Sequence, residues 1–403
     1  MIHDLINQVR KENLYRHILQ LEGIRHPIFN PAGLCYAIEY IKNELKESLY
    51  DIKEHSFTTN RFSGDFMNIE AHSKATHTTG KPILYISAHY DTILHSPGAN
   101  DNASGIAVLL EVARILSYFR KKENVHTDIR FICFALEERM SINELQHMFN
   151  FFHIIKTNNQ GEFYSMLQKI KTIMQNKQPV EDICRTAFTL LSNNKSHLDP
   201  LNYKCIEALI KAYRDMATDT SHTHRQGLTG STHFVEESIK NNSRIFSCIN
   251  LETIGYSSNA DHSQLLPPGI NPSLMQSMGI LSRYKTKKNL SKGNFICIMC
   301  DKNSSALGKI FYKNTKRKEI RLPSTLFSLP LTHTEIDQQF PDMLRSDHAP
   351  FWKYNIPALF ITDTANFRYP YYHTEADTID KLDFDFMEKV CKTVIATVIK
   401  TCV

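Results

Sequence analysis

No run of about 18 consecutive apolar residues occurs in the chain, so no membrane-spanning helix is expected. The amino terminus, MIHDLINQVRKENLYRHILQ, is charged throughout and lacks the apolar stretch of a secretory signal. There is no internal repeat and no long low-complexity tract. Neither sign of charge dominates: 47 basic against 42 acidic residues leave +5, too mild by itself to imply a nucleic-acid partner. A disulfide framework is also missing. The nine cysteines are an odd number scattered from Cys35 to Cys402, and Cys133 and Cys248 sit in apolar runs where a thiol packs as a small hydrophobe. Together these absences predict a soluble, cytoplasmic protein with no membrane or nucleic-acid partner. Export by a route that needs no apolar signal is the alternative.

What is present looks like an ordinary globular protein. A chain of 403 residues, 42% apolar and 22% charged, buries a sizeable core without staples. The basic run from Arg283 to Arg321, with Lys313, Lys316, Arg317 and Lys318, reads as a solvated rim. Cys297 and Cys300 form a C-x-x-C inside the strand-like NFICIMC, without a second pair at zinc-site spacing, and read as structural.

Short β-branched or apolar runs predict strands at 83–88, 129–135, 244–250 and 358–362. Helical spacing is found at 104–119 (Ile106, Leu109, Leu110, Ala113, Leu116), from Phe384 to Ile399 (Phe386, Val390, Val394, Val398) and at 31–48, with Asn102 or Ser104 as the cap of the first. Strands alternating with helices predict an α/β fold, a mostly parallel central sheet sandwiched by helices. Residues 139–229 break the alternation. They contain helical stretches near 141–157, 161–175, 181–193 and 201–215, and read as a helical insertion into a domain formed by 1–138 and 230–403.

The chemistry gathers where strands end. His89 and Asp91 directly follow a buried strand; a neutral imidazole is a good zinc ligand, and a nearby carboxylate fixes its orientation. Asp101 opens the 104–119 helix, where an aspartate caps or, through its two oxygens, bridges two metal ions. Glu137 and Glu138 emerge together from an apolar strand, which is costly unless something binds them. Glu252 follows the next strand, and His373 with Asp377 pairs an imidazole with a carboxylate after the last. Two histidines and three carboxylates, with one glutamate spare, suit borderline divalent metals, zinc first.

The segments AHYDT, GANDNASGIAVLLEVARIL, FALEE, GSTHF, NLETIGY, SDHAPFW and YYHTEADT occur in that order. They resemble the co-catalytic zinc aminopeptidase family, which includes bacterial leucyl aminopeptidases, aminopeptidase Y, glutamate carboxypeptidases, glutaminyl cyclases and the transferrin receptor ectodomain. The similarity spans roughly 20–138 and 230–400. The resemblance implies two Zn2+ per chain: His89 and Glu252 at one, Glu138 and His373 at the other, Asp101 bridging. Asp91 supports His89, and Glu137 is the general base of a water that removes N-terminal residues from peptides. Tyr371 or Tyr372 is a candidate extra donor to the developing oxyanion. Asp347 and His348 belong to a loop near the substrate pocket, with Trp352 beneath it. The pattern departs from the family in two places: Glu252 stands where many relatives carry Asp, and about 90 inserted residues separate Glu138 from Gly230-Ser231. The loop histidines His222, His224 and His233 read as solvated. The expected partner is a peptide or aminoacyl substrate, and the insertion is a candidate gate or protein-partner surface. Two other readings stay open, a single-zinc glutaminyl cyclase-like aminoacyltransferase and a catalytically silent binding protein on the same fold.

Overall fold

The structure is a computed structural model and describes residues 1–59, 62, 64–73, 81–119, 126–138, 160–174, 176, 178–218, 227–267, 271 and 291–402. Strands β1 (Tyr50–Phe57), β2 (Phe66–Ser73), β3 (Ile83–His89), β4 (Asp128–Phe134), β5 (Ile245–Leu251), β6 (Ile296–Cys300), β7 (Ser324–Ser328) and β8 (Ala358–Thr362) form one sheet. Their order is β1-β2-β4-β3-β5-β8-β6-β7.

Successive residues of a strand point to opposite faces, and the central strands are apolar on both. Leu84, Ile86 and Ala88 of β3 enter one core, with Ile129, Phe131 and Cys133 of β4 and Ile249 and Leu251 of β5. Ile83, Tyr85, Ile132, Phe134 and Cys248 enter a second core on the other face. The continuous apolar runs of the sequence are therefore strands covered on both sides.

The longer helices are α1 (Lys11–Leu21), α2 (Pro31–Glu47), α3 (Ser104–Phe119), α4 (Gln160–Met174), α5 (Val180–Asn193), α6 (Pro200–Thr218), α7 (Thr229–Lys240), α8 (Ser305–Thr315) and α9 (Phe384–Cys402). α1, α3, α8 and α9 pack along the first core. The residues expected on the apolar faces of α3 and α9 are buried, each large aliphatic contributing about 1.5–3 kcal/mol. Asn102 Oδ1 accepts the Gly105 amide at 3.1 Å and so caps α3. The second core holds Phe234 and Val235 of α7, Phe351 and Trp352. The Trp352 indole donates to the Ala358 carbonyl at 2.9 Å.

The expectation of a mostly parallel sheet holds at the centre and needs correction at the flanks. β4, β3, β5 and β8 run parallel. β1 pairs antiparallel with β2, β2 with β4, and β6 with β8. Phe57 and Phe66 face each other across β1 and β2, so the short connection between them permits only an antiparallel return. Asp51, Lys53 and Glu54 keep part of edge strand β1 in water.

Within 139–229, α4, α5 and α6 pack on one another and bury Leu167, Ile170, Leu191 and Ile210. The helix expected near 141–157, with Phe149, Phe151 and Phe152, lies outside the described residues, as do His222 and His224. Gly230 and Ser231 lie in the first turn of α7, so the chain re-enters the fold through a helix. Among the described residues no helix is long and apolar enough to cross a membrane.

Candidate metal centre

Four neighbouring parallel strands present their carboxyl ends on one side of the sheet, the place where α/β sheets build sites. β3 ends on His89, Glu137 and Glu138 follow β4, Glu252 follows β5, and the chain after β8 leads to His373. The turn 99–103 ahead of α3 supplies Asp101, and the peptide joining Asp101 to Asn102 is cis.

Two triads result. His89, Asp101 and Glu252 bring their ligand atoms within 4.8 Å of one another, and so do Asp101, Glu138 and His373. Asp101 belongs to both. Its Oδ1 lies 3.3 Å from His89 Nε2 and its Oδ2 lies 3.2 Å from His373 Nε2. His373 Nε2 is 3.3 Å from Glu138, and His89 Nε2 is 3.9 Å from Glu252. Neither Asp101 oxygen makes a hydrogen bond although both are buried. A buried carboxylate without such partners is expensive. Two oxygens, each aimed at a different imidazole nitrogen, fit a carboxylate shared by two cations. The donor set of imidazoles and carboxylates fits zinc.

The surroundings hold these groups in place. Asp91 accepts the Glu137 and Glu138 amides at 3.1 and 3.0 Å, and its Oδ1 lies 3.6 Å from His89 Nδ1. One carboxylate thus links the β3 and β4 ends. Asp377 does not pair with His373 as the sequence suggested. It accepts the Asn100 and Asp101 amides at 2.8 and 3.1 Å and thereby fixes the Asp101 turn, while the Tyr369 hydroxyl donates to it at 2.8 Å. Ser346 donates to the Glu252 carboxylate. The Leu228 amide donates to the Glu137 carbonyl at 2.9 Å, and Gly230 presses on Ala135, where a Cβ would meet the Ala135 carbonyl at 2.2 Å.

Electrostatically the site is short of positive charge. The buried carboxyl groups of Asp91, Asp101, Glu137, Glu138, Glu252 and Asp347 outnumber the imidazoles of His89 and His373. Burial pushes Glu138 up to about 7 and Glu252 up to about 8, against the pull of the imidazoles. Burial and then Glu252 raise Glu137 well above the carboxylate range. Burial would lower His89, but Glu137, Asp101 and Asp91 outweigh it and raise the ring. Divalent cations would supply the missing charge.

The remaining candidates separate. Asp347 is fully buried and pushed up to about 7, first by burial, with Asp91 and Glu138 adding to it. His348 is a packed ring instead: it stacks on Phe360 at 4.4 Å, donates from Nε2 to the Met343 carbonyl at 2.8 Å, and is lowered to about 3 by burial. Tyr372 stacks on His373 at 3.9 Å and lines a small cavity with Glu137, Glu138, Gly227, Leu228 and Arg345. Tyr371 lies outside that cavity, edge-on to Tyr369 at 5.5 Å. His233 stacks on Phe57 at 5.2 Å. A larger cavity opens beside Glu252, Arg345 and Tyr372. Its walls are mostly apolar and include Phe295, Met299, Phe327 and Phe360. Cys297 is on this wall, so one member of the C-x-x-C faces the cavity while Cys300 packs in the opposite core. The sequence reading missed Arg345, which stands where the two cavities meet beside the SDH segment it had singled out.

An α/β sheet whose strand ends gather two triads around one shared aspartate defines a candidate dinuclear metal centre. The model of Peptidase family M28 matches residues 68–183 and 217–398, and the chain belongs to that family. Over 99 residues the chain is 40% identical to aminopeptidase YwaD of Bacillus subtilis (strain 168), a stretch that is 24% of this chain and only 21% of that protein. In fold it is similar to the LapA aminopeptidase of Legionella pneumophila, with a TM-score of 0.58 at 16% identity, covering 100% of this chain and 74% of that one. It is also similar to the glutaminyl cyclase of Macrostomum lignano, with a TM-score of 0.55 at 13% identity, covering 99% and 92%. The break in the family match, 184–216, falls inside the expected insertion.

Proposed function

We propose that the chain is a metal-dependent aminopeptidase that binds two divalent ions, zinc first, and removes the N-terminal residue of a peptide or aminoacyl substrate. The observation that carries this reading is Asp101, whose two oxygens face His89 and His373. His89 and Glu252 would hold one ion, Glu138 and His373 the other. When bound, such a pair polarises a scissile carbonyl and makes water nucleophilic near neutral pH. Glu137 is positioned to take the water's proton. It lines the same cavity as Glu138 and His373, and its Oε2 lies 3.9 Å from His89 Nε2. The proton then passes to the leaving amine, which balances the cleavage without a covalent intermediate. Carboxylates around the free α-amine favour a chain end over an internal bond. The apolar cavity beside Glu252 suits the side chain of the residue removed.

A one-metal glutaminyl cyclase would leave the His89, Asp101 and Glu252 triad without a task. The test is elemental analysis of gently purified protein, alongside a panel of aminoacyl substrates with and without chelator. Two ions per chain and chelator-sensitive release of N-terminal residues are expected. Saturation at one ion, with cyclisation of N-terminal glutamine instead of hydrolysis, would replace this reading with the cyclase.

A further inference from the structure

Arg25 lies ahead of the residues that the family match covers, in the connection between α1 and α2, and is 2% exposed. A buried guanidinium is costly unless its donors are satisfied. Here it donates to backbone carbonyls of three segments. Nη1 reaches Leu21, the last residue of α1, and Gly23 at 2.9 Å. Nε donates to the Tyr90 carbonyl at 2.7 Å. Nη1 also donates to Pro97 at 2.9 Å and Nη2 to Gly98 at 3.0 Å. The main chain of Arg25 adds two bonds to Thr92. Its amide donates to Thr92 Oγ1 at 2.9 Å, and its carbonyl accepts the Thr92 amide at 3.1 Å.

Those carbonyls occupy telling positions. Tyr90 stands between His89 and Asp91. Pro97 and Gly98 lead into the 99–103 turn that delivers Asp101, and Gly98 is held at φ +64°, where a Cβ would meet the Asp101 carbonyl at 2.4 Å. The segment that follows His89 and the segment that leads into Asp101 are thus tied to each other by one planar fork. The charge of the fork also faces the carboxylates of Asp377, Asp91 and Asp101.

We propose that Arg25 is a positioning residue for the metal centre: by clamping loop 90–92, through its fork and its main-chain bonds to Thr92, to loop 97–98, it sets the distance between His89 and Asp101. It touches neither metal nor substrate and acts through the backbone of the loops. Partners of this kind typically govern metal affinity by about 10–100-fold. Lysine cannot replace the fork, because one ammonium has three donors at a single point and cannot span both loops.

The inference rests on the proposed dinuclear reading, and the experiment separates the two. Metal-free full-length chain is titrated with Co2+, followed by its visible absorption, and with Zn2+ by calorimetry. Wild type is expected to take up two ions; a wild type that binds none overturns the reading and this inference with it. Arg25→Lys keeps charge and stem. It should bind Co2+ and Zn2+ about 10–100-fold more weakly, with an altered Co2+ spectrum, in samples whose circular dichroism shows a folded chain. A role confined to stability would lower the unfolding temperature and leave affinity and spectrum unchanged; that result in a two-ion wild type overturns the inference alone. Should Arg25→Lys be recovered unfolded, Thr92→Val decides. Losing that single acceptor should weaken metal binding about three- to tenfold, the effect of one hydrogen bond, and unchanged affinity in the folded variant overturns the inference.

Discussion

Glu137 and Glu138 are neighbours in sequence with separate tasks, and the backbone explains how. β4 ends at Phe134, and Leu136 takes a left-handed conformation at φ +56°. The alternation of a strand, which would send adjacent side chains apart, stops before the pair, so both glutamates line one cavity. Glu138 meets His373, whereas Glu137 approaches His89 without belonging to either triad. Glu137→Gln removes the proton-accepting oxygen and keeps the volume. It should retain two ions and the wild-type fold while lowering kcat by about 10²–10⁴-fold. Near-normal turnover in a metal-loaded variant would show that another group takes the proton. Much at this scale was legible beforehand: His89, Asp101, Glu138 and Glu252 each stand at or just past a strand end or ahead of a helix, and His373 in a turn of the chain after β8, where an imidazole or carboxylate in an apolar setting invites a ligand. Asp377 and His348 were not. The first binds amides rather than an imidazole, and the second is consumed by ring packing. Such partners depend on chain segments far away in sequence.

At the level of elements, the strands buried on both faces announced themselves as unbroken apolar runs. β8 spans the expected residues, and β3, β4 and β5 lie within one residue of expectation. β1 and β2 escaped notice because Asp51, Lys53, Glu54 and Glu70 interrupt the apolar pattern. The last of these is buried and satisfied by His55 at 2.7 Å and Arg130 at 2.7 Å. The antiparallel flanks could not be read either, since strand direction is decided by pairing and not by composition. The return of the insertion is pinned to the site: Leu228 pairs with the Glu137 carbonyl, and Gly227 and Leu228 line the cavity with Glu137 and Glu138. We expect residues 139–229 to restrict the entrance, making short aminoacyl compounds good substrates and long peptides poor ones. Replacing 141–227 with a short Gly/Ser linker should raise turnover of long peptides relative to short ones. An unchanged ratio in a folded, metal-loaded variant would leave the insertion only as a partner surface, which a pull-down with the full-length chain and the linker variant compares.

For the molecule as a whole, the metal centre is a concentration of buried acid that the fold must tolerate, and pH reveals how. In the metal-free chain Glu138 and Asp347 are raised to about 7 and Glu252 to about 8. The folded chain therefore keeps protons that the unfolded chain has already released. Such groups stabilise the fold at low pH, and the contribution is lost as pH rises through the folded values. His373, raised to about 10 by Glu138 and Asp101 in spite of burial, has the same sign, its contribution fading above the ordinary imidazole range. His17 and His348 act oppositely. Burial lowers them to about 4 and about 3, so stability rises with pH until their unfolded forms are neutral, at about pH 6.5. Above that point the site acids and imidazoles dominate. Metal-free protein should lose stability between about pH 6.5 and 8, by up to about 1.4 kcal/mol per pH unit for each proton released. With divalent ions bound, the carboxylates are already ionised and their protons were released on loading, so the slope should shrink or vanish. Urea unfolding midpoints at three pH values across this window, with chelator and with excess Zn2+, measure both slopes. A chelated sample that is flat or gains stability with pH would mean that the buried carboxylates are compensated by the protein itself and have no need of cations.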